Sequence, residues 1–361
     1  MRKIKIDPFN IDSSAVKEVA DVLLKGGIVV LPTETVYGLA AVYDNKEAQE
    51  RLYRIKRRPL SKPFSISVEK IEEAISFFSV LPPYGFRLIE KFWPGPLTIV
   101  FYTKEEDKTL GIRVSSHRVL NAILREAKKP IYLPSANISN EKEALSAEEA
   151  ERIFDGEIDL IVDTGQPLFL KPSTVVDLTC HPFKILREGV ISQRQIGEVF
   201  YQRRILFVCT GNTCRSPMAE YLFKKYFYGK YPYLEGRYEV ISRGTAIYDG
   251  GPISSSVAEI LKKKENMDVS AHKTKRITER DILSSDLIFV MEKIHQDCIL
   301  NIVPTAAGRV FLLGKFLFLD DDGDIPDPIG MSYEKFVEVY ELIKQAVREL
   351  VDWLGYEGSI S

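Results

Sequence analysis

The stretch from Arg203 to Pro217, RRILFVCTGNTCRSP, most constrains what this chain can fold into. Its apolar run Ile205–Val208 predicts a buried parallel strand, and Pro217 lies where a helical apolar pattern begins. A tight loop between a strand and a helix directs backbone N–H groups and the positive end of the helix at one spot, which favours an anion. We therefore expect Cys209, at the end of this strand, to be a thiolate nucleophile.

The composition is that of an ordinary globular protein. The chain has 361 residues, 45% hydrophobic and 28% charged, which predicts two or three domains with their own cores. A net charge of −2 gives no support for nucleic-acid binding through bulk charge. No apolar run reaches the roughly 18 residues of a membrane span, and the N-terminus lacks a secretory signal pattern. Four cysteines are too few for a disulfide framework, so we predict a cytoplasmic protein without a membrane partner.

The first 202 residues show helix and strand patterns without strict alternation. Helices are predicted at residues 13–25, 46–56, 117–127, 147–154 and 191–200, and strands at residues 28–31, 64–68, 97–102, 111–114, 131–133, 160–162, 173–178 and 184–187. The polar stretch Pro32–Ala40 is interpreted as a turn, and Ser146 with Glu149 as a capping box. We predict an α/β domain over residues 1–202 with a largely mixed sheet.

A basic cluster follows the predicted helix at residues 46–56. Lys56, Arg58 and Lys62 lie at its end and on the next loop, where an anionic ligand would need them. Basic side chains also stabilise a helix C-terminus through its dipole, so a purely structural interpretation stays open. The chain contains neither GxxxxGK[ST] nor GxGxxG, the two standard nucleotide-binding loops.

Seven motifs follow one another through this half of the chain. They are PTETVYGL at 32–39, Lys56-x-Arg58 with Lys62-Pro63, WPGPLT at 93–98, GIRV at 111–114, PSAN at 134–137, STVVD at 173–177 and REG at 187–189. In order and spacing they resemble the YrdC-type threonylcarbamoyl-AMP synthases. The resemblance implies a twisted α/β sheet with a large positive cavity, where L-threonine, bicarbonate and ATP become threonylcarbamoyl-AMP and pyrophosphate. It also implies that downstream transfer machinery passes the threonylcarbamoyl group to an adenosine of tRNA.

The motif residues suit a reaction that brings two oxyanions together, bicarbonate and triphosphate. The cations that could neutralise them are Lys56, Arg58, Lys62, Arg113 and Arg187. By resemblance, threonine would face Thr35, Arg113 and Ser173. ATP would face Arg58, Lys62, Thr109, Ser135, Asn137 and Arg187. Lys56 and Arg58 are the predicted catalytic pair; catalysis would rest on positioning and electrostatics, with ATP as substrate beside Mg²⁺. The alternative is a nucleotide- or RNA-binding module without catalysis.

Residues 203–361 alternate regularly between strand and helix patterns. Strands are predicted at residues 205–208, 238–242, 287–291 and 309–313, and helices at residues 256–263 and 333–354, besides the helix that follows the cysteine loop. Regular βαβ alternation predicts a doubly wound parallel sheet with helices on both faces. Its catalytic loops should lie beyond the carboxyl ends of the strands, where the loop after Val208 is found.

Three separate motifs in this half, Cys209-x5-Arg215-Ser216, SRGT at 242–245 and Asp327-Pro328, resemble those of the low-molecular-weight protein tyrosine phosphatases. The Cys209 thiolate would attack phosphorus, and Arg215 would pair bidentately with phosphoryl oxygens. Ser216 would hydrogen-bond the thiolate, and Asn212 would hold the shape of the loop. Asp327 would protonate the leaving group and then activate water. The scheme needs neither a metal nor a cofactor.

The substrate of this second domain stays open between phosphoarginine and phosphotyrosine proteins. Thr213 occupies a position where the protein-arginine phosphatases of the family carry threonine, whereas tyrosine-specific members more often carry an aliphatic residue. Ile329, after Asp327-Pro328, also differs from the aromatic residues that often flank a phosphotyrosine ring. We favour phosphoarginine. Cys214 is near enough in the loop to form a reversible disulfide with Cys209.

Overall fold

The computed structural model describes residues 2–105, 108–317 and 323–357. The chain divides into two compact units. The first contains the residues up to Leu81 together with Arg87–Glu198, and the second contains Pro82–Phe86 together with the chain from Val199 onward. Among the described residues, no helix is both long and apolar enough to cross a membrane.

The first unit is built on a mixed sheet, which confirms the fold class predicted for this half of the chain. Its strands within the described ranges are β1 (Arg2–Lys5), β2 (Val29–Leu31), β3 (Gly38–Val42), β4 (Ile66–Val68), β5 (Leu97–Tyr102), β6 (Thr109–Val114), β7 (Ile131–Tyr132), β8 (Leu160–Asp163), β9 (Thr174–Asp177) and β10 (Lys184–Arg187). They are hydrogen-bonded in the order β1-β8-β2-β3-β7-β4-β6-β5-β9-β10. Parallel pairs such as β4–β6 and β5–β9 alternate with antiparallel pairs such as β5–β6.

Helices in this half of the chain join the strands and cover the sheet. They are α1 (Ser13–Leu24), α2 (Lys46–Ile55), α3 (Ile71–Phe77), α4 (Pro83–Phe92), α5 (Arg118–Ala127), α6 (Ala147–Ile153) and α7 (Gln193–Tyr201). α1 and α5 pack beside each other, and both bury apolar residues against β2 and β8. Leu23 of α1 and Ile123 of α5 are fully buried there, as the apolar spacing of both helices predicts.

Two local predictions for this half were wrong. Gly38–Val42 is a fully buried strand between β2 and β7, although its first three residues belong to the stretch Pro32–Ala40 that was interpreted as a turn. The glycine is needed for close packing, because a Cβ there would come within 2.8 Å of Leu133 Cδ1. Only half of the predicted capping box forms: Ser146 accepts from Glu149 N at 3.1 Å, but the Glu149 carboxylate accepts from Leu145 N at 2.7 Å.

The second unit contains the predicted parallel sheet. Its described strands are β11 (Arg203–Cys209), β12 (Tyr238–Gly244), β13 (Leu287–Val290) and β14 (Val310–Leu312), hydrogen-bonded in the order β12-β11-β13-β14. Each neighbouring pair is parallel. The helices described between and after them are α8 (Arg215–Lys230), α9 (Ser255–Glu265), α10 (Glu279–Ser284), α11 (Lys293–Ile302) and α12 (Tyr333–Glu357).

Helices on both faces of this sheet confirm the doubly wound fold. Phe207 and Cys209 of β11 belong to the core formed with α8, α9 and α12. Leu206 and Val208, which alternate with them along the strand, belong to the core formed with α10 and α11. The strand is therefore apolar on both sides, as the run Ile205–Val208 predicted. It ends with Cys209 at the carboxyl edge of the sheet.

Candidate active sites

A cavity of about 490 Å³ in the first unit contains most of the polar residues that the sequence singled out. The predicted site residues that line it are Thr35, Arg58, Lys62, Thr109, Arg113, Ser135, Ser173 and Arg187. They come from loops and from β6, β9 and β10 and their ends, so the fold brings together residues far apart in the chain. Its size is that of a small-molecule site. Lys56 and Asn137 are not part of the lining.

Lys56 points into the protein rather than into the cavity, and its side chain is buried. Its Nζ donates to Ser135 O at 2.6 Å, to Asn137 O at 2.8 Å and to Asn137 Oδ1 at 3.0 Å. Burial, assisted by the charges of Arg58 and Arg187, lowers the pKa of Lys56 to about 7. Three acceptors match the three N–H donors of an ammonium group. Lys56 therefore holds the 135–137 loop in place, and that loop in turn presents Ser135 to the cavity.

Arg113 is held by a buried glutamate that the sequence did not single out. Arg113 Nη2 lies 2.8 Å from Glu34 Oε1, and Arg113 Nη1 donates to Thr35 Oγ1 at 2.9 Å. Burial would raise the pKa of Glu34, but the Arg113 charge and a hydrogen bond from Ser115 outweigh it and lower the pKa below its usual value. The glutamate therefore stays ionised and fixes the guanidinium in one orientation.

The hydroxyl of Thr35 lies between Thr33 and Arg113. Thr33 Oγ1 donates to Val36 O at 2.6 Å and lies 2.8 Å from Thr35 Oγ1. Thr33 Oγ1 also accepts from the backbone N–H groups of Thr35 at 3.1 Å and Val36 at 3.2 Å, and Thr35 Oγ1 accepts from Arg113 Nη1 at 2.9 Å. A hydroxyl oxygen has two lone pairs, so Thr35 can still accept a hydrogen bond from a ligand.

A second group of hydroxyls lies beside Arg187. Arg187 Nη2 donates to Ser173 Oγ at 3.1 Å, and Arg187 Nε donates to Ser173 O at 3.1 Å. Ser173 Oγ lies 3.0 Å from Thr98 Oγ1, which also lines the cavity. Nearer the loop after α2, Arg58 Nε donates to Lys62 O at 2.9 Å, and its guanidinium lies 5.2 Å from the centre of the Phe64 ring. Four cations therefore border one cavity from several directions.

The cysteine loop of the second unit is held by a hydrogen-bonded network. Cys209 Sγ lies 3.0 Å from Ser216 Oγ, in the first turn of α8. Asn212, with a φ of 48°, donates through Nδ2 to Ser216 Oγ at 3.1 Å and to Ser242 Oγ at 2.9 Å. Its Oδ1 accepts from Lys275 N at 2.9 Å. These hydrogen bonds hold Asn212 in the left-handed conformation of the loop, and Ser216 keeps its proton for the sulfur or for Arg243 O.

Arg215 is almost fully buried and contacts two carboxylates. Its Nη2 lies 2.5 Å from Asp327 Oδ2, and its Nη1 lies 2.5 Å from Glu292 Oε2 and donates to Ile325 O at 2.8 Å. The structure therefore brings Asp327, more than 100 residues away in the chain, to the cysteine loop. Glu292 is a further partner that the sequence did not indicate.

Two more residues belong to this site: His295, which the sequence did not indicate, and Cys214, which was predicted only as a disulfide partner of Cys209. His295 Nδ1 accepts from Glu292 N at 3.1 Å, so its Nε2 carries a proton and donates to Thr210 Oγ1 at 2.8 Å. Burial, followed by the Arg215 charge, lowers the pKa of His295 and favours this neutral form. Cys214 is a buried free thiol 3.5 Å from Thr213 Oγ1, and burial raises its pKa.

These geometries define two classes of domain. The first is a mixed-sheet domain with a cationic substrate cavity, and the second is a doubly wound domain with a cysteine-based phosphate loop. Residues 21–189 match the Sua5/YciO/YrdC family, described as telomere recombination, and residues 204–359 match the low molecular weight phosphotyrosine protein phosphatase family. The chain is a fusion of a Sua5/YciO/YrdC domain with a low molecular weight phosphatase domain.

Similar proteins are found for the first domain among curated relatives. Two proteins named threonylcarbamoyl-AMP synthase, from Pyrococcus abyssi and Bacillus subtilis, are each 31% identical, over 222 and 202 residues. These matches cover 58% and 54% of this chain, and 65% and 58% of the relatives, so the chain spans less than two thirds of either. A crystal structure of P. abyssi Sua5 complexed with L-threonine is 22% identical with a TM-score of 0.53, covering 86% of this chain and 99% of that one. At this identity the likeness shows the fold.

Proposed function

We propose that the first domain converts L-threonine, bicarbonate and ATP into threonylcarbamoyl-AMP and pyrophosphate. The observation that carries this proposal is the single cavity bordered by Arg58, Lys62, Arg113 and Arg187. Carboxylate, bicarbonate and triphosphate repel one another in water, and a cavity with four cations lets them approach. The two relatives named threonylcarbamoyl-AMP synthase support the same activity.

The cavity suggests how each substrate is oriented. Thr35 Oγ1 can accept a hydrogen bond, which suits the amine of threonine, and the neighbouring Arg113 suits its carboxylate. Arg187 and Ser173 form a second anion-binding group, and Arg58 and Lys62 a third. The neutral amine attacks the bicarbonate carbon, a C–N bond forms, and the C–OH bond breaks, so that the hydroxyl leaves as water with one amine proton. A carbamate oxygen then attacks the α-phosphorus, the bond to the β-phosphate breaks, and pyrophosphate leaves. The protein contributes orientation and charge neutralisation to both steps.

ATP would enter as its magnesium complex. Within the described ranges, no group of three or more His, Cys, Asp or Glu side chains is arranged to hold a metal ion. Magnesium commonly binds to substrate phosphates with few protein ligands, and the cations of the cavity would share the remaining phosphate charge. The product would pass to threonylcarbamoyl-transfer machinery that acts on tRNA.

Pyrophosphate release tests this proposal. The full chain should release pyrophosphate from ATP only when both threonine and bicarbonate are present. Arg58→Ala should lower kcat/KM about tenfold or more, as expected for the loss of a charge-assisted contact, whereas Arg54→Ala on the exposed side of α2 should match the parent. ATP binding without threonine-dependent release would instead support a nucleotide- or RNA-binding module.

We further propose that the second domain is a cysteine-dependent protein phosphatase. The observation that carries this is the meeting of Cys209, Arg215 and Asp327 in one site. The Cys209 thiolate attacks phosphorus, an S–P bond forms, and the bond to the leaving group breaks as Asp327 donates its proton. Asp327 then takes a proton from water, whose oxygen attacks phosphorus and releases phosphate and the thiolate. The Ser216 hydroxyl stabilises that sulfur anion.

Substrate binding should also free the general acid. Arg215 Nη2 is occupied by Asp327 in the free protein, and a phosphoryl group would compete for the same guanidinium. Asp327 would then turn toward the leaving group, while Glu292 continues to hold Arg215 Nη1. Phosphate binding and positioning of the acid are therefore one event in this mechanism.

For substrate we propose phosphoarginine, with phosphotyrosine as the alternative. The Thr213 hydroxyl lies in the loop near Cys214, where it can orient a polar guanidinium. Ile329, which is 57% exposed after Asp327-Pro328, offers no aromatic ring to a tyrosine substrate. The parent should have the higher kcat/KM on phosphoarginine peptides, and Thr213→Ile should reverse the preference. Thr213→Ser, which keeps the hydroxyl, is the matched control; a parent that strongly prefers phosphotyrosine would refute this assignment.

A further inference from the structure

The cavity of the first domain has two ends with different chemistry. At one end, Arg187 Nη2 donates to Ser173 Oγ at 3.1 Å. At the other, the register of β6, β5 and β9 places Gly111, Val100 and Asp177 in one row across the sheet, and all three line the cavity. The first end offers a cation and hydroxyls. The second offers a carboxylate beside an apolar floor.

Asp177 is the one carboxylate in a lining that is otherwise neutral or cationic, as far as the described residues go. Its Oδ1 accepts from Thr179 N at 2.9 Å and from Thr179 Oγ1 at 2.6 Å. In the described part of the chain no cation forms an ion pair with it. Val175, whose cross-strand partner is Arg187, lies two residues away, about 7 Å along β9. Lys184, the cross-strand partner of Asp177 on β10, is exposed and does not line the cavity. A carboxylate accepts hydrogen bonds and donates none, so a group bound beside Asp177 in the cavity should donate them.

The floor beside this carboxylate is shaped for a flat group. A Cβ at Gly111 would come within 3.2 Å of Ser65 Cβ and 3.4 Å of Val100 Cγ2, so glycine keeps this part of the floor low. β10 contributes Leu186 to the same lining, at an irregularity of register between Ile185 and Arg187. Leu186 is 50% exposed and presents apolar surface to the cavity.

We propose that this end binds the nucleoside of ATP, with Asp177 accepting hydrogen bonds from the ribose hydroxyls. The inference rests on the proposed synthase activity, which makes ATP a substrate. An acidic side chain on a ribose hydroxyl is a recurring solution in nucleotide-binding proteins. Val100 and Leu186 contact the base, and the phosphates extend toward Arg187. Asp177 is thereby the residue that selects a ribonucleotide.

Calorimetric titration of the full chain with ATP, 2′-deoxy-ATP and 3′-deoxy-ATP tests the inference. The parent should bind ATP about ten- to a hundredfold tighter than at least one deoxy analogue, the range expected for hydrogen bonds to a charged group. Asp177→Asn should remove most of this discrimination, because asparagine keeps the Oδ1 acceptor for Thr179 but lacks the charge. Equal affinity of the parent for all three nucleotides would overturn the inference, as would unchanged discrimination in Asp177→Asn.

Two controls separate ribose recognition from other roles of Asp177. Thr179→Val removes the hydroxyl that contacts Asp177 while leaving the carboxylate, and should retain the preference for ATP. Inosine triphosphate lacks the adenine amine, and Asp177→Asn should weaken its binding as much as that of ATP. If the variant affects ATP alone, Asp177 contacts the base and the inference is wrong.

Failure of the inference can be distinguished from failure of the proposed function. A parent that discriminates ribose through Asp177 but releases no pyrophosphate with threonine and bicarbonate would refute the synthase activity and leave ribose recognition standing. A parent that releases pyrophosphate equally well from ATP and both deoxy analogues would refute ribose recognition alone.

Discussion

The two candidate active sites handle anions by different means. In the second domain, one thiol and one guanidinium lie at the two ends of a short loop, and the Ser216 hydroxyl is 3.0 Å from Cys209 Sγ. In the first domain, four cations from separate loops and strands border a cavity of about 490 Å³ whose lining, among the described residues, includes no cysteine. A covalent site can be compact because its nucleophile does the bond making. An electrostatic site must surround its substrates.

The two sites also share a structural feature, an arginine held by a buried or partly buried glutamate. Arg113 is fixed by Glu34, and Arg215 is fixed by Glu292. Both guanidinium groups are nearly buried, with 12% and 1% of the side chain exposed. A glutamate behind each arginine keeps the guanidinium oriented before substrate arrives, which lowers the reorganisation that binding requires. The two sites therefore differ because only the second supplies a protein nucleophile, and they agree because a glutamate orients an arginine in each.

Replacing the nucleophile should produce the largest difference between the two activities. We expect Cys209→Ser to lower hydrolysis of an aryl phosphate by at least about 10³-fold, the scale of loss when a catalytic nucleophile is removed. Threonine-dependent pyrophosphate release should stay at the parent level, because the first site uses no residue of this loop. Cys298→Ser, outside the loop, is the control; substantial hydrolysis by Cys209→Ser would contradict the thiolate mechanism.

Removing the general acid should have the next largest effect. Asp327→Asn cannot supply a proton to the leaving group, and general acid catalysis is worth about 10²–10⁴-fold. We expect kcat to fall in this range for phenyl phosphate and by much less for p-nitrophenyl phosphate, whose leaving group needs little protonation. Asp324→Asn on the same loop is the matched control. Equal losses with both leaving groups would show that Asp327 acts only through its ion pair with Arg215.

The sequence predicted the second site better than the first because its key residues are close in the chain. The strand, the loop and the helix start follow one another from Arg203, and the regular alternation of strand and helix patterns in residues 203–361 indicated a doubly wound sheet. The glutamates behind the arginines could not be found this way. Glu34 and Glu292 each lie nearly 80 residues from the arginine they hold, and nothing in local patterning marks such a partner.

Lys56 shows that local sequence also does not predict the direction in which a side chain points. Its position in a basic cluster indicated a cation facing the anionic substrates. Its ammonium group instead satisfies backbone carbonyls of the 135–137 loop, about 80 residues later in the chain. Which way a lysine at a helix end turns depends on which acceptors the tertiary fold places nearby. The strand Gly38–Val42 was missed for a related reason, because its burial comes from β2 and β7 on either side.

The structural feature shared by the two sites can be tested in the first domain. Glu34→Gln removes the charge that orients Arg113, so we expect the KM for threonine to rise about tenfold, as for a lost charge-assisted contact. The KM for ATP should change much less. Glu69→Gln, which removes a more exposed ion pair with Arg125, is the control. An equal rise in both KM values would show a general loss of structure rather than a threonine-specific role.

A smaller effect should appear in the pH dependence of ATP binding. Because the pKa of Lys56 is lowered to about 7, raising the pH through that value removes a proton and one of three hydrogen bonds to the 135–137 loop. The nearby charges of Arg58 and Arg187 favour this loss, and Glu143 opposes it. We expect ATP affinity in the parent to fall several-fold between about pH 6 and pH 9.

Lys56→Met identifies the group responsible. It should bind ATP weakly at all pH values and show no inflection near pH 7, whereas Lys46→Met at the exposed start of α2 should keep the parent profile. An inflection that persists in Lys56→Met would assign the titration to another group, and a pH-independent parent would show that Lys56 stays charged throughout.

The smallest expected effect concerns stability rather than catalysis. Glu265 accepts hydrogen bonds from Lys225 Nζ at 2.7 Å and Tyr226 OH at 2.8 Å, and it also contacts Lys344 and Tyr340. Burial would raise the pKa of Glu265, but these contacts outweigh it and lower the pKa to about 2. The carboxylate therefore contributes stability that is complete above its unfolded pKa, about 4.3, and is lost as the pH falls toward 2.

Glu265→Gln should lower the free energy of unfolding of the second domain by about 1–3 kcal/mol at pH 7. The difference in unfolding free energy between parent and variant should shrink as the pH falls below about 4, because the Glu265 carboxyl of the parent is then protonated in the unfolded state. Aryl phosphatase activity in urea reports on this domain selectively. Glu338→Gln, which breaks an ion pair more than half exposed on both sides, should have little effect. A difference independent of pH would mean that the Glu265 contacts stabilise through packing rather than charge.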